Sequence, residues 1–193
     1  MTSQTLELID RVRRRLDAAG RPCAVAGAAP ADAIDAAEAA LGCAFPPSYR
    51  AFLAEVGALR LPPRLGTVLG FVGLTPTPHG DGDGDADAQS VVQRTLHARV
   101  ENRLGEGLLI VAAGAEVGEW YVADTSCARG DGEAPIFLFD VRDNRLDQQF
   151  YDDFETMVRE VLGFVDEILD EELGEGAEAG DAAERSGDRA AAY

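Results

Sequence analysis

Asp81, Asp83, Asp85 and Asp87 put carboxylates on alternate residues, which is how a calcium-binding loop begins. The register then fails. Counted from Asp81, the sixth position is Ala86 where such a loop turns on glycine, and the twelfth is Val92 where it closes on a bidentate glutamate. No pair of helices flanks the stretch in the way that loop requires. The surrounding TPTPHGDGDGDADA offers almost nothing to bury, so it reads as a solvated, mobile loop. Weak calcium binding stays open, but no dedicated metal site is expected.

Nucleophilic chemistry would need a base, and the chain has only His79 and His97. His79 lies in the acidic loop, and His97 sits beside Arg94 and Arg99, off the face that carries Leu96. Neither comes with a G-x-S-x-G elbow, a glycine-rich phosphate loop or an H-E-x-x-H helix. Ser126 beside Cys127 follows a strand, yet no sequence feature supplies it with a base. Glu116, Glu119 and Asp124 would pair carboxylates across a turn, an arrangement that more often decorates the surface of a hairpin. No catalytic residue and no cofactor is expected.

Helices and strands in alternation must position these side chains. Residues 31–57, ADAIDAAEAALGCAFPPSYRAFLAEVG, read as two short helices around a sharp Phe45-Pro46-Pro47 corner. Ile34, Ala37 and Leu41 share one face of the first, and Gly42 stands where a left-handed C-terminal residue is wanted. Tyr49, Phe52, Leu53 and Val56 share a face of the second; Pro47 suits its opening turn and Gly57 stops it. Ahead of the pair, residues 4–18 predict a helix with Leu6, Ile9, Val12 and Leu16 along a stripe, ended by Gly20 and Pro22. The Arg13, Arg14, Arg15 run reads as its solvated face.

Strands are predicted over residues 66–74, 107–113, 119–124, 135–141 and 146–150, with a turn at Asp143-Asn144. GLLIVAA is apolar throughout, as a central strand buried on both faces would be. A helix over 89–101 is expected to bury Val92, Leu96 and Val100. Trp120 and Tyr121 must point to opposite faces of their strand, and Trp120, Phe71, Phe137 and Phe139 read as core. The last helix is capped by Asp152 or Asp153, with Glu155 in capping-box register to Asp152. Its wide apolar face runs from Phe154 through Met157, Val158, Val161, Leu162 and Val165 to Ile168 and Leu169. Beyond Leu173 the composition lacks the apolar residues that would offset ordering entropy. The division expected is an N-terminal helix over 1–22, a domain over 23–173 and a disordered acidic tail over 174–193.

The 193 residues carry a formal charge of -18, and all 17 basic residues are arginine. That balance argues against a phosphate-backbone partner, which needs clustered positive charge. It favours a basic protein partner over an acidic one. Three cysteines without C-x-x-C spacing suggest neither a disulfide framework nor a zinc site. The opening MTSQTLELIDRVRRRL is charged from its first turns, without the apolar run of a secretory leader, and no apolar run is long enough to cross a bilayer. No membrane association is expected, and a cytoplasmic location is.

The Leu-Gly-x-x-Phe-Pro-Pro-x-Tyr helix pair resembles the opening of the SUKH superfamily, the Smi/Knr-type domains of fungal cell-wall regulators and bacterial immunity proteins. GLLIVAAGAEVGEWYVADTS is similar to that family's strand, glycine-containing turn and strand ending in aspartate, here Asp124. APIFLFDV resembles the strand that follows, closing on Asp140, and FYDDFETMVREVL the closing aromatic-led helix. The resemblance covers about residues 31–165.

It implies a single α+β domain with a mostly antiparallel or mixed sheet, an N-terminal helix pair and a C-terminal helix packed on the sheet. It also implies a binding module rather than an enzyme, of the kind that neutralises a nuclease- or deaminase-type bacterial toxin. A regulatory scaffold domain with a cellular protein partner is the alternative. An acidic inhibitor would occupy the positive cleft of a nuclease with fast, salt-sensitive association. The contact residues expected are Asp81, Asp83, Asp85, Asp87, Glu116, Glu119 and Asp131, because they lie on loops joined to a rigid sheet.

Overall fold

The computed structural model describes residues 1–75 and 90–187. Its elements run α1 (Ser3–Ala18), β1 (Ala24–Val25), α2 (Ala31–Leu41), α3 (Pro47–Glu55), β2 (Leu59–Arg60), β3 (Val68–Phe71), α4 (Val91–Glu101), β4 (Leu108–Gly114), β5 (Glu119–Asp124), β6 (Ile136–Asp140), β7 (Arg145–Tyr151) and α5 (Phe154–Gly187). The seven strands form one sheet in chain order, and every neighbouring pair is antiparallel. This is the α+β architecture expected from the resemblance.

Sheet position follows burial capacity. β4 is the middle strand, and Leu109, Ile110, Val111 and Ala112 are fully buried, as a continuous apolar run requires. The outermost strand β7 is exposed along nearly its whole length, and two register shifts interrupt its pairing with β6. Such bulges blunt an open sheet edge. β1 and β2, two residues each, were invisible in the sequence because so short a strand shows no alternation.

The proline-corner helices supply the core's aromatic centre. Phe154, the first residue of α5, sits edge-on among Tyr49 at 4.9 Å, Phe52 at 5.3 Å and Phe71 at 5.8 Å. Edge-to-face contacts of this kind add roughly 0.5–1.5 kcal/mol each beyond the area they bury. The Tyr49 hydroxyl donates to the Val72 carbonyl at 2.8 Å, which satisfies the one polar atom of a wholly buried ring. Gly57 carries a φ of 84°, and a Cβ there would lie 1.7 Å from the Gly27 carbonyl oxygen. Only glycine lets the chain leave α3 at this point.

α1 and α5 lie side by side and parallel. Glu155 accepts from the Thr2 backbone nitrogen at 2.8 Å, the Thr2 hydroxyl at 2.5 Å and the Thr5 hydroxyl at 2.6 Å. Further along, Arg11 and Arg15 pair with Asp166, Arg15 with Asp170, and Arg21 with Glu172. Glu155 is therefore a bond between helices and not half of a capping box. Asp153 is the α5 cap, accepting from the Thr156 backbone nitrogen at 2.8 Å. The apolar face of α5 reaches Leu169, and the helix continues to Gly187, past residue 174 where composition suggests an unstructured tail.

α4 is turned away from the expected orientation. Ser90 and Gln93 form a capping box, and the buried face consists of Val91, Arg94, Thr95 and Ala98. Leu96 is 40% exposed and Val100 77% exposed. The apolar periodicity of Val92, Leu96 and Val100 was real, but the polar face won the core. The Thr95 hydroxyl meets the Ile110 backbone nitrogen at 3.3 Å, and the Arg94 side chain is buried.

Candidate partner-binding surface

The expected contact residues fall in three places. Asp81, Asp83, Asp85 and Asp87 lie outside the described residues. Glu116 and Glu119 sit at the β4–β5 turn, at one end of the sheet. Asp131 sits at the other end, in the connection between β5 and β6. The length of β5, roughly 16 Å for six residues, separates the two ends.

Each end has its own electrostatics. Asp131 accepts the Glu133 backbone N–H at 3.0 Å and faces Arg129 at 3.5 Å. The backbone hydrogen bond, with the arginine behind it, holds its carboxyl below the usual range. Arg129 also bonds the Asp152 carbonyl at 3.1 Å and the Asp153 carboxylate at 3.0 Å. Asp131 is thus committed to the shape of its own loop. Glu133 goes further and reaches across to α3, accepting from the Ser48 nitrogen at 2.7 Å and the Ser48 hydroxyl at 2.6 Å. At the opposite end, Glu116 is exposed and Glu119 half-buried, and neither makes an ion pair among the described residues.

The catalytic possibilities resolve into local structure. The Ser126 hydroxyl donates to Asp124 at 2.5 Å, and Asp124 also accepts the Ser126 backbone N–H at 3.0 Å. That is a turn closing on its own cap, with a carboxylate already taken as its acceptor. His97 stands on the exposed side of α4. Among the described residues no group of three or more His, Cys, Asp or Glu is placed to hold a metal ion, and no helix is long and apolar enough to cross a membrane.

What the sequence did not disclose is an aromatic surface beside Glu119. Strand alternation puts Glu119 and Tyr121 on one face of β5 and Trp120 on the other, where it stacks on Phe139 at 5.9 Å. Tyr121 is the buried member of the pair and Trp120 is half-buried. The Tyr121 ring meets Phe150 at 6.0 Å and Tyr151 at 6.1 Å, both on β7. Phe150 is 44% exposed, and Phe164 on α5 is 52% exposed. Phe164 had one legible signal: it falls off the apolar stripe of α5, between Glu160 and Glu167. Phe150 had none, because a bulge in β7 sets its face.

The model of the SMI1 / KNR4 family (SUKH-1) matches residues 28–160, well over half of the chain. The matched region takes in β2 to β7, α2, α3 and α4, and it leaves out α1, β1 and most of α5. No curated protein matches the chain.

Proposed function

We infer that this chain, which belongs to the SMI1 / KNR4 family (SUKH-1), works as an immunity or regulatory domain by docking onto another protein. The finer reading is neutralisation of a bacterial toxin, of nuclease or deaminase type, that presents a basic cleft. The observation that carries it is the pairing of family membership with an acidic balance: a formal charge of -18, and carboxylates at Glu116 and Glu119, on a rigid hairpin, that make no ion pair among the described residues. A toxin that grips phosphate must gather arginine and lysine around its cleft. Carboxylates held on a sheet end meet such side chains with little ordering cost and accelerate encounter.

Asp81, Asp83, Asp85 and Asp87 belong to the same proposed contact set, with Glu116 and Glu119 at its centre, whereas Asp131, engaged by Arg129 and the Glu133 N–H, is assigned to the shape of its own loop. The reading is of a binding protein without turnover and of a cytoplasmic one, where an immunity protein would meet an incoming or newly made toxin. Co-expression tests it. The full chain, produced with a nuclease or deaminase toxin domain where a neighbouring gene encodes one, is expected to restore growth and to co-purify in a stable complex. Unrelieved toxicity together with no complex removes the toxin reading.

A further inference from the structure

α5 divides its carboxylates between two sides. Asp166, Asp170 and Glu172 are taken up by Arg11, Arg15 and Arg21 of the N-terminal segment. Glu160 and Glu167 point elsewhere, are exposed, and make no ion pair among the described residues. Between them on the same helical face stands Phe164. Its ring lies over Gly66, 3.5 Å from where a Cβ would start. On the other side of Glu160 stands Tyr151, which feels its charge and meets Phe150 at 6.3 Å, and Tyr121 meets both of those rings. Glu119 borders the same face two residues before Tyr121. The exposed rings of Phe164 and Phe150, the half-buried Tyr151, and carboxylates without an ion pair among the described residues therefore border one surface across α5, β5 and β7, with Tyr121 buried beneath it.

We propose that this surface is a docking site for a protein segment presenting arginine beside an apolar side chain. A guanidinium stacks on an exposed ring while its fork reaches a neighbouring carboxylate, and the apolar neighbour covers the remaining ring surface. Nucleic acid is repelled by the same carboxylates. A second copy is disfavoured too, since a two-fold contact would set this acidic face against itself in a chain of charge -18. The inference rests on the protein-binding reading above and names a surface for it.

The probe is a random twelve-residue peptide library displayed against the immobilised full chain, with enriched peptides re-measured in solution. Enrichment of arginine next to aromatic or aliphatic residues is expected. Phe150→Ala with Phe164→Ala should weaken those peptides about tenfold, from roughly threefold per ring. Both rings are about half exposed, at 44% and 52%, so the variant is expected to keep its fold, which its thermal melt verifies. Glu160→Gln with Glu167→Gln should weaken binding at low salt and flatten its salt dependence. Peptides without arginine, no enrichment, or affinities indifferent to both variants overturn the proposal. So does a dimer, seen by sedimentation, that the ring variant dissociates. The two readings fail separately. Toxin neutralisation unaffected by these variants leaves the proposed function standing and removes the surface, whereas arginine peptides bound here without any toxin neutralised do the reverse.

Discussion

Glu133 caps a helix that belongs to another part of the chain: its carboxylate receives both the backbone N–H and the hydroxyl of Ser48, at 2.7 and 2.6 Å. α3 begins at a Pro46-Pro47 pair that provides neither a side-chain cap nor a proline N–H. The corner fixes the helix's direction, and the loop beyond β5 supplies the missing acceptor. Glu133→Ala is expected to cost about 1–2 kcal/mol, a cap plus an orphaned hydroxyl. For a chain of this size that is a fall in Tm of about 3–6 °C, read by calorimetry. Glu133→Gln should fall between, since it keeps one acceptor. An unchanged Tm in the alanine variant would show that water caps α3 equally well.

Gly57 is the position least able to accept a side chain. Its φ is 84°, and the Gly27 carbonyl oxygen occupies the place of a Cβ, with a separation of 1.7 Å. Gly57→Ala adds left-handed strain of about 1–2 kcal/mol to a clash with backbone, which no rotamer relieves. The expected total exceeds about 3 kcal/mol, measured as a drop in the urea midpoint. Gly130→Ala, with nothing within 4 Å of the new atom, is the control and should shift the midpoint little.

The helix junction at Glu155 makes stability depend on acid. Partial burial pushes this carboxyl upward, but hydrogen bonds from the Thr2 and Thr5 hydroxyls and the Thr2 N–H outweigh it, and the group sits below its ordinary 4.5. A carboxyl depressed on folding stabilises fully above its unfolded value and loses that contribution as pH falls through the folded one. Stability conferred by the junction is therefore complete above about pH 4.5 and drains away below it. Thr5→Val removes one donor and should narrow the difference in Tm between pH 6 and pH 3, roughly the limits of carboxylate titration. Comparing variants matters, because protonation also relieves the repulsion of the whole acidic chain over that range. Equal acid sensitivity in both proteins would place it at other carboxylates, Asp153 first among them.

The interior strands β4, β5 and β6 were legible because burial writes directly into composition, whereas β1 and β2 were too short to show. GLLIVAA had to be central, and β5 fell on the residues that alternation selects. The helix pair was legible for the same reason: its apolar spacing, proline corner and glycine stops each have a single conformational meaning. α4 misled because two faces competed: Arg94 and Thr95 are buried, and Thr95 found a partner in the interior that a polarity pattern cannot foresee. The Glu133–Ser48 cap joins residues 85 apart, and local motifs do not reach that far. Of the proposed contacts, placement alone separates Glu116 and Glu119 from Asp131, since all three read alike as loop acids. Phe150 stayed hidden because bulges reset the alternation from which a face is read.

α1 and the later part of α5 fall outside the family match, yet each covers the other. Ile9, Val12 and Leu16 are buried, and Val161, Leu162, Val165 and Leu169 provide the opposing apolar face. Ile9→Ala should cost about 2–4 kcal/mol through lost burial and the cavity left behind. Arg14→Ala, an exposed change on the same helix, should stay within about 0.5 kcal/mol. Chemical denaturation distinguishes them. If the two substitutions cost the same, α1 is an appendage and not part of the cooperative unit.

Charge reversal at the sheet ends tests where a partner lands. Glu116→Lys with Glu119→Lys changes the local charge by four units at side chains that make no ion pair among the described residues, so folding should be nearly unaffected. Association with a basic toxin domain should slow by roughly tenfold at low salt, with the difference shrinking as salt screens it. Dissociation should change less, because steering acts on encounter. Asp131→Asn provides the contrast. Its carboxylate is engaged by Arg129 and the Glu133 N–H, so the substitution should lower Tm slightly and leave the association rate nearly as it was. Stopped-flow kinetics at two ionic strengths separates the outcomes. A rate that responds to Asp131 and ignores Glu116 and Glu119 would move the docking face to the opposite end of the sheet, where α3 and the Ser126 turn lie.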